Sequence, residues 1–261
     1  MGNDRIAIVT GASRGLGRVT AERLAGSGYV VAAVATSTAS MLDLAEHPQV
    51  STYACDVADA SQIDDVFARI SADLGVATLL INNAGLGGPA GLTWEAEPGE
   101  WWRTFEVNVR GPYLTSRALL PGMLERGSGR IVNVSSGAAY FPVAGGTTHG
   151  MSSAYMASKA AVLRLTEALA GETVGTGVTA FAVSPGTVKT DMTASLFADD
   201  WDDPELWSEP TLMADLIEFI DTGAVDALSG RFIHAALHDW RDLPARIDAI
   251  IAADSHVARM I

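Results

Sequence analysis

The stretch IAIVTGASRGLG, residues 6–17, decides the fold of this 261-residue chain. It opens with a short apolar run that predicts a buried strand, and a helical pattern follows from about residue 15. Between the two, Gly11, Gly15 and Gly17 form a G-x-x-x-G-x-G turn. Glycine lets the backbone turn sharply and approach a pyrophosphate, and the following helix offers free N–H groups at its N-terminus. The turn therefore predicts a dinucleotide site, the alternative being a tight β–α turn without a ligand.

The same alternation of apolar runs and helical patterns continues along most of the chain. The runs that predict strands are residues 6–10, 30–36, 52–55, 79–82, 131–134 and 179–183. The helical patterns cover about 15–27, 61–74, 99–126 and 153–175. Because parallel strands need crossovers of this length, the pattern predicts an α/β fold. We expect one Rossmann-type domain over residues 1–261, a doubly wound parallel sheet of about seven strands flanked by helices.

The C-terminal third is less regular. Residues 187–210 are acidic and aromatic, contain two prolines and lack a steady period. We therefore expect a substrate loop with short helical pieces there. Further patterns predict a helix at about 211–222, a strand at 230–234 and a helix at about 242–253.

Composition and charge exclude several classes of protein. Apolar residues make up 48% and charged residues 18%, which is typical of a globular chain and not of a disordered one. With 17 basic and 31 acidic residues the net charge is −14, so we expect neither a nucleic-acid partner nor a membrane partner. Cys55 is the only cysteine and the first ten residues lack a long apolar segment, so we expect a cytoplasmic protein. The histidines show no metal-ligand pattern beyond His234 and His238, and we expect no metal site.

The chain has only two lysines, Lys159 and Lys189, among its 17 basic residues. Lys159 follows Tyr155 by four positions in YMASK, which places the ammonium and the phenol on one face of a helix. At a separation of roughly 6 Å the ammonium would lower the pKa of the phenol by about two units. Such a tyrosine suits general acid catalysis near neutral pH. The alternative is an ordinary surface pair of tyrosine and lysine.

Further motifs follow in a fixed order. They are CDV (55–57), NNAG (82–85), Asn108, the pair Ser135–Ser136, YMASK (155–159) and PG (185–186). Together with TGASRGLG, and over about residues 4–195, they resemble the short-chain dehydrogenase/reductase family, and specifically the branch that includes β-ketoacyl-carrier-protein reductases. The resemblance implies an oxidoreductase that uses NAD(P)(H) to reduce a ketone or to oxidise a secondary alcohol of a small-molecule substrate. The alternative is a dinucleotide-binding regulator without catalysis.

The resemblance also implies roles for individual residues. Tyr155 would exchange a proton with the substrate oxygen, which Ser136 would bind. Lys159 would lower the pKa of Tyr155 and hold the nicotinamide ribose, and Asn108 would anchor a water that relays protons. Asp56 would receive the adenine amino group. The cofactor contacts implied besides Tyr155 and Lys159 are Gly11, Ser13, Arg14, Gly15, Leu16, Gly17, Thr36, Ser37, Asp56, Val57, Asn82, Ala84, Gly85, Pro185, Gly186 and Thr187.

The end of the second predicted strand bears on the choice of cofactor. A carboxylate at this position binds the ribose hydroxyls of NAD, but here the residues are Ala35, Thr36 and Ser37. Arg14 could pair with a 2′-phosphate, although it could also face solvent. We therefore favour NADP(H) and keep NAD(H) as possible.

Two departures from the family pattern concern substrate and assembly. Ser136 and Tyr155 lie 19 positions apart, a longer interval than the family commonly has. The added residues would reshape the pocket, with Tyr140, Phe141 and His149 lining it or lying in a solvent loop. The usual glycine pair after the last strand is absent and the segment at about 230–261 is unusual, which puts tetramer assembly in doubt. We expect a homodimer through residues 99–126 and 153–175, or a homotetramer.

Overall fold

A seven-stranded parallel sheet forms the centre of the molecule, in the order β3-β2-β1-β4-β5-β6-β7. The computed structural model describes residues 5–140, 151–194 and 201–257. The strands are β1 (Ile6–Thr10), β2 (Val30–Ala35), β3 (Val50–Ala54), β4 (Leu79–Asn82), β5 (Gly129–Val134), β6 (Val178–Ser184) and β7 (Phe232–His234). This order confirms the predicted Rossmann-type sheet. The predicted third strand begins two residues too late, and the last strand is shorter than predicted.

Helices flank the sheet. They are α1 (Gly15–Gly26), α2 (Ala60–Leu74), α3 (Pro98–Phe105), α4 (Gly111–Arg126), α5 (Ser153–Glu172), α6 (Asp191–Ala194), α7 (Thr211–Asp221) and α8 (Leu243–Ala252). The helix predicted over 99–126 is divided, because a π-helical turn at Glu106–Arg110 separates α3 from α4. Such turns are frequent at functional sites. No helix in the described parts of the chain is long and apolar enough to cross a membrane.

Two apolar layers bury both faces of the sheet. In β1, Ala7 and Val9 contribute to the layer under α1, α7 and α8, whereas Ile6 and Ile8 contribute to the layer under α2 and α4. All five residues of β1 are buried, as expected for a parallel strand that is covered on both sides. Successive side chains of a strand point to opposite faces, so one continuous apolar run supplies both layers.

The parallel arrangement determines where a site can form. The carboxyl ends of all strands meet at one edge of the sheet, and the strand order reverses between β1 and β4. In open α/β sheets this reversal leaves a crevice between the loops that follow the two strands. The glycine turn follows β1 and the NNAG loop follows β4, so both line the same crevice.

Candidate active site

A cleft of about 640 Å³ lies at this carboxyl edge. Its lining includes most of the residues expected to contact a cofactor: Gly11, Ser13, Arg14, Gly15, Leu16, Thr36, Asp56, Val57, Ala84, Gly85, Tyr155, Lys159 and Pro185. The lining also includes residues not singled out for the site from the sequence, among them Asn83, Arg103, Lys189 and Asp191. A larger hollow of about 1010 Å³ lies between α5 and the start of β7, and none of the predicted residues that the structure describes lines it. The motifs therefore converge on the smaller cleft.

The glycine turn forms a cradle that side chains would fill. Gly11 and Gly15 have φ angles of +68° and +54°, a region that favours glycine. A Cβ on Gly11 would lie 2.8 Å from the Cα of Ala84, and a Cβ on Gly17 would lie 2.8 Å from the carbonyl carbon of Gly11. The first turn of α1 carries no acidic residue, so its N–H groups and positive dipole end suit an anion. The cradle therefore fits the pyrophosphate of a dinucleotide.

The two asparagines of the NNAG loop have different surroundings. Asn83 lines the cleft and donates from Nδ2 to the carbonyl oxygen of Thr10 at 2.9 Å, which fastens the loop to the end of β1. Asn82 is buried and hydrogen-bonds to Asn133 at 2.9 Å and to Thr115 at 2.6 Å. It is not among the residues that line the cleft, and its expected place beside the cofactor stays a prediction. Its side chain instead links β4 to β5 and α4 beneath the site.

Lys159 and Tyr155 lie on one face of α5, as the spacing predicts. Lys159 is buried, and its Nζ donates to the carbonyl oxygen of Val134 at 2.7 Å. The ammonium lies 5.6 Å from the centroid of the Tyr155 ring. Burial lowers the pKa of Lys159 to about 8.

The pKa of Tyr155 differs from the expectation. Burial raises it above the ordinary value, and a hydrogen bond with Ser136 opposes the rise. The expected lowering by Lys159 does not contribute to this shift: burial dominates it, and the ammonium hydrogen-bonds to the carbonyl oxygen of Val134. Ser136 is thus placed beside the tyrosine hydroxyl, although it does not line the cleft.

Asn108 is buried within the π-helical turn. Its Oδ1 accepts from the backbone N–H of Leu86 at 2.8 Å, and its Nδ2 donates to the carbonyl oxygen of Leu86 at 2.9 Å and to Ser158 Oγ at 2.9 Å. The side chain therefore joins the loop after β4 to α5. A Cβ on Gly85 would lie 3.4 Å from Asn108 Oδ1 and 3.6 Å from Lys159 Nζ, so both groups flank this glycine.

Two charged contacts at the cleft had no signal in the sequence. Arg14 pairs with Asp191 at 2.6 Å, and Arg103 pairs with Asp56 at 2.5 Å. Arg103 also contacts Glu106 at 3.1 Å, which orients its guanidinium. The residue pairs are 177 and 47 positions apart, so only the folded chain brings them together.

Comparison with known proteins identifies the family. The model of the short chain dehydrogenase family matches residues 5–201. The chain belongs to this family. Short chain dehydrogenase mpl6 of Monascus purpureus is 36% identical in an alignment of 270 positions, which covers 98% of this chain and 89% of that protein. The 3-oxoacyl-acyl-carrier-protein reductase FabG of Vibrio harveyi is 36% identical over 197 residues, 75% of this chain and 78% of the other.

A solved structure supports the same conclusion. Actinorhodin polyketide ketoreductase with NADPH matches with a TM-score of 0.79 and 29% identity, over 90% of this chain and 97% of the other. The resemblance to the short-chain dehydrogenase/reductase family seen in the sequence is therefore confirmed.

The remaining expected cofactor residues of this short-chain dehydrogenase lie behind or beside the cleft. The hydroxyl of Ser37 accepts from the backbone N–H of Ala39 at 3.2 Å and caps a short 3₁₀ turn. The carbonyl oxygen of Thr187 accepts from the backbone N–H of Ser208 at 2.7 Å. A Cβ on Gly186 would lie 3.1 Å from the Cβ of Ala236. Gly186 and Thr187 therefore pack against neighbouring loops instead of lining the cleft.

Aromatic residues occupy the side where a substrate is expected. Tyr140 packs edge-on against Phe232, with ring centroids 5.1 Å apart, and burial raises its pKa. Lys189 Nζ lies 5.0 Å from the ring centroid of Trp201 and 5.3 Å from that of Trp207. Phe141 and His149, which we also expect to line the pocket, lie outside the described residues. The predicted loop over 187–210 contains α6, and its residues 195–200 are likewise outside the described part.

Proposed function

We propose that this short-chain dehydrogenase is a carbonyl reductase or alcohol dehydrogenase that interconverts a ketone and a secondary alcohol and favours NADP(H) over NAD(H). The proposal rests on one observation: Tyr155 and Lys159 line the cleft that the glycine turn opens, and Ser136 hydrogen-bonds to the tyrosine hydroxyl. We further propose that residues 1–261 act as one catalytic domain, with residues near 187–210 on the substrate side.

The residues that would hold the cofactor follow from the cleft. Gly11 and the N-terminus of α1 would bind the pyrophosphate, and Asp56 would accept a hydrogen bond from the adenine amino group. Arg14 and Thr36 would bind a 2′-phosphate, since no carboxylate stands at the end of β2 to repel it. The ammonium of Lys159 would hold the nicotinamide ribose. When bound, the nicotinamide supplies the hydride to the carbonyl carbon in reduction and accepts it in oxidation.

The proton follows a separate route through this chain's own residues. In reduction, the Tyr155 hydroxyl donates its proton to the carbonyl oxygen while the Ser136 hydroxyl hydrogen-bonds to that oxygen. The Tyr155 phenol is protonated at neutral pH, as an ordinary phenol is, so it carries the proton that the carbonyl oxygen needs. Burial raises its pKa and so disfavours the phenolate that forms, a cost that the Lys159 ammonium would offset. In oxidation the phenolate must take the proton from the alcohol, and the nearby Lys159 ammonium stabilises that phenolate.

Cofactor choice and assembly are part of the same proposal. The NADPH in the similar ketoreductase structure supports NADP(H) use, with NAD(H) as the other possibility. We propose a cytoplasmic homo-oligomer with a dimer formed through α4 and α5, and the exposed Tyr113 and Leu124 of α4 support an interface there. No observation supports the alternative of a dinucleotide-binding regulator without catalysis.

The test is the variant Tyr155→Phe, assayed with a panel of ketones and secondary alcohols and both cofactors. We expect kcat to fall by about two to four orders of magnitude because the proton donor is lost, while NADPH still binds. Tyr140→Phe is the matched control, since it removes a phenol on the substrate side that we do not place at the reacting oxygen. A Tyr155→Phe enzyme that retains more than about a tenth of the activity would refute the proposed role.

A further inference from the structure

An ion pair joins the glycine turn to α6 at the mouth of the cleft. Arg14 Nη1 lies 2.6 Å from Asp191 Oδ2, and both residues line the cleft. Their side chains are 77% and 74% exposed, so neither is held in place by burial. An exposed pair of this kind contributes little stability and exchanges readily with another partner of the same charge.

Residues next to Asp191 contact both walls of the cleft. A Cβ on Gly15 would lie 3.6 Å from Thr190 Cγ2, on the wall formed by the glycine turn. A Cβ on Gly87 would lie 3.4 Å from Met192 Cγ, on the wall formed by the loop after β4. Residues 190–192 therefore reach from one wall of the cleft to the other. Within this segment, Asp191 forms the ion pair with Arg14.

We propose that Asp191 sets the cofactor preference, because its carboxylate competes with the 2′-phosphate of NADP(H) for Arg14. This inference rests on the proposed function. A guanidinium binds a carboxylate or a phosphate through the same N–H donors. A 2′-phosphate bound to Arg14 would share the guanidinium with the Asp191 carboxylate and would be repelled by it, whereas NADH has a hydroxyl at this position and leaves the pair undisturbed.

The same competition links the cofactor to α6. When the 2′-phosphate shares Arg14, the charged contact of α6 with the glycine turn weakens, so NADPH loosens residues 190–192 more than NADH does. Linkage is reciprocal, so a change that releases α6 from Arg14 must favour NADPH. Asp191 is thus a specificity-determining residue on the substrate side of the cleft.

The experiment measures the Kd of NADPH and of NADH by calorimetry for the wild type, Asp191→Asn, Arg14→Ala and the double variant. We expect Asp191→Asn to bind NADPH about two- to fivefold tighter, with little change for NADH. In the Arg14→Ala background the same substitution should leave the ratio of the two Kd values unchanged. The matched control is Asp43→Asn, which removes an equal charge from an exposed pair with Arg18.

The outcomes separate the inference from the proposed function. An equal change of the Kd ratio with and without Arg14 shows a general effect of charge and overturns the inference, as does an unchanged ratio in Asp191→Asn. Hydrogen exchange gives a second measurement, because residues 188–194 should exchange faster with NADPH bound than with NADH bound. Equal exchange rates overturn the link to α6. A wild type that binds neither dinucleotide refutes the proposed function itself.

Discussion

Three histidines form a cluster at β7: His234 ends the strand, and His238 and His256 lie next to it. The His238 ring centroid lies 4.4 Å from that of His256 and 6.3 Å from that of His234. His238 Nδ1 accepts the backbone N–H of His234 at 3.0 Å, and His234 Nδ1 accepts those of Ala236 and Leu237 at 3.3 and 3.2 Å. A ring nitrogen that accepts an N–H cannot also carry a proton. We therefore predict that protonation of this cluster destabilises the fold.

The pKa values give the pH range and the sign. Burial, followed by repulsion from His256, His234 and Arg246, lowers the pKa of His238 to about 4. Burial also lowers the pKa values of His234 and His256. In the unfolded chain each histidine has a pKa of about 6.5. Between these values the unfolded state binds more protons than the folded state, so stability falls as the pH falls through about 6.5 and levels off below about 4.

The magnitude follows from the same shift. Full linkage for His238 would amount to about 3 kcal/mol, and its partial exposure to solvent reduces this to about 1–2 kcal/mol. The assay is urea unfolding of the wild type and of His238→Asn at several pH values between about 7.5 and 4.5. The asparagine does not titrate, and its side-chain oxygen can still accept the N–H of His234.

A second histidine variant serves as the control. His47→Asn removes a histidine that lies outside the cluster and accepts the backbone N–H of Gln49 at 3.2 Å. We expect His238→Asn to lose less stability on acidification than the wild type and the His47→Asn control. Parallel losses in all three proteins would refute the reasoning, and so would a His238 imidazole that titrates near 6.5 by NMR in the folded protein.

Two further substitutions test the site and the cradle. Lys159→Arg should lower kcat at least about a hundredfold, because a planar guanidinium cannot replace a buried ammonium that lies 2.7 Å from the Val134 carbonyl oxygen. Steady-state kinetics measure the loss, and circular dichroism checks that the variant is folded. Near-normal turnover would mean that Lys159 is not part of the site. Gly11→Ala should destabilise the fold by about 1–3 kcal/mol in urea unfolding, because of its positive φ and the approach of Ala84, and unchanged stability would contradict the strained-turn argument.

The parts of the molecule that could be predicted from the sequence are those set by local patterns. The strand, turn and helix of residues 6–26 follow from adjacent residues, and so does the placement of Tyr155 and Lys159 on one face of α5. Which asparagine of the NNAG loop lines the cleft could not be predicted in this way. Asn82 is buried because Thr115 of α4 and Asn133 of β5 offer it hydrogen bonds, and those partners come from distant parts of the chain.

The charged contacts of the cleft show the same limit. Arg14 and Asp191 approach each other only because the glycine turn after β1 and the segment after β6 end at one edge of the sheet. The sequence shows that Arg14 stands in the turn, but not that a carboxylate already pairs with it. Arg103 likewise lies in a helix that gives no local sign of its contact with Asp56 across the cleft. Long-range ion pairs depend on where loops lie, which no local pattern encodes.

The active-site pKa values show why a correctly predicted residue spacing can still give the wrong direction for a pKa shift. The spacing of Tyr155 and Lys159 accounts for their attraction, which favours the charged forms of both groups. Burial favours the neutral forms instead, and in this structure it raises the pKa of Tyr155 and lowers that of Lys159 to about 8. At neutral pH the phenol is therefore protonated while most of the lysine is still cationic. In the reaction that we propose, the phenol would give its proton to a ketone oxygen and the cation would stabilise the phenolate left behind, so the Lys159 ammonium has to offset the burial that disfavours this phenolate.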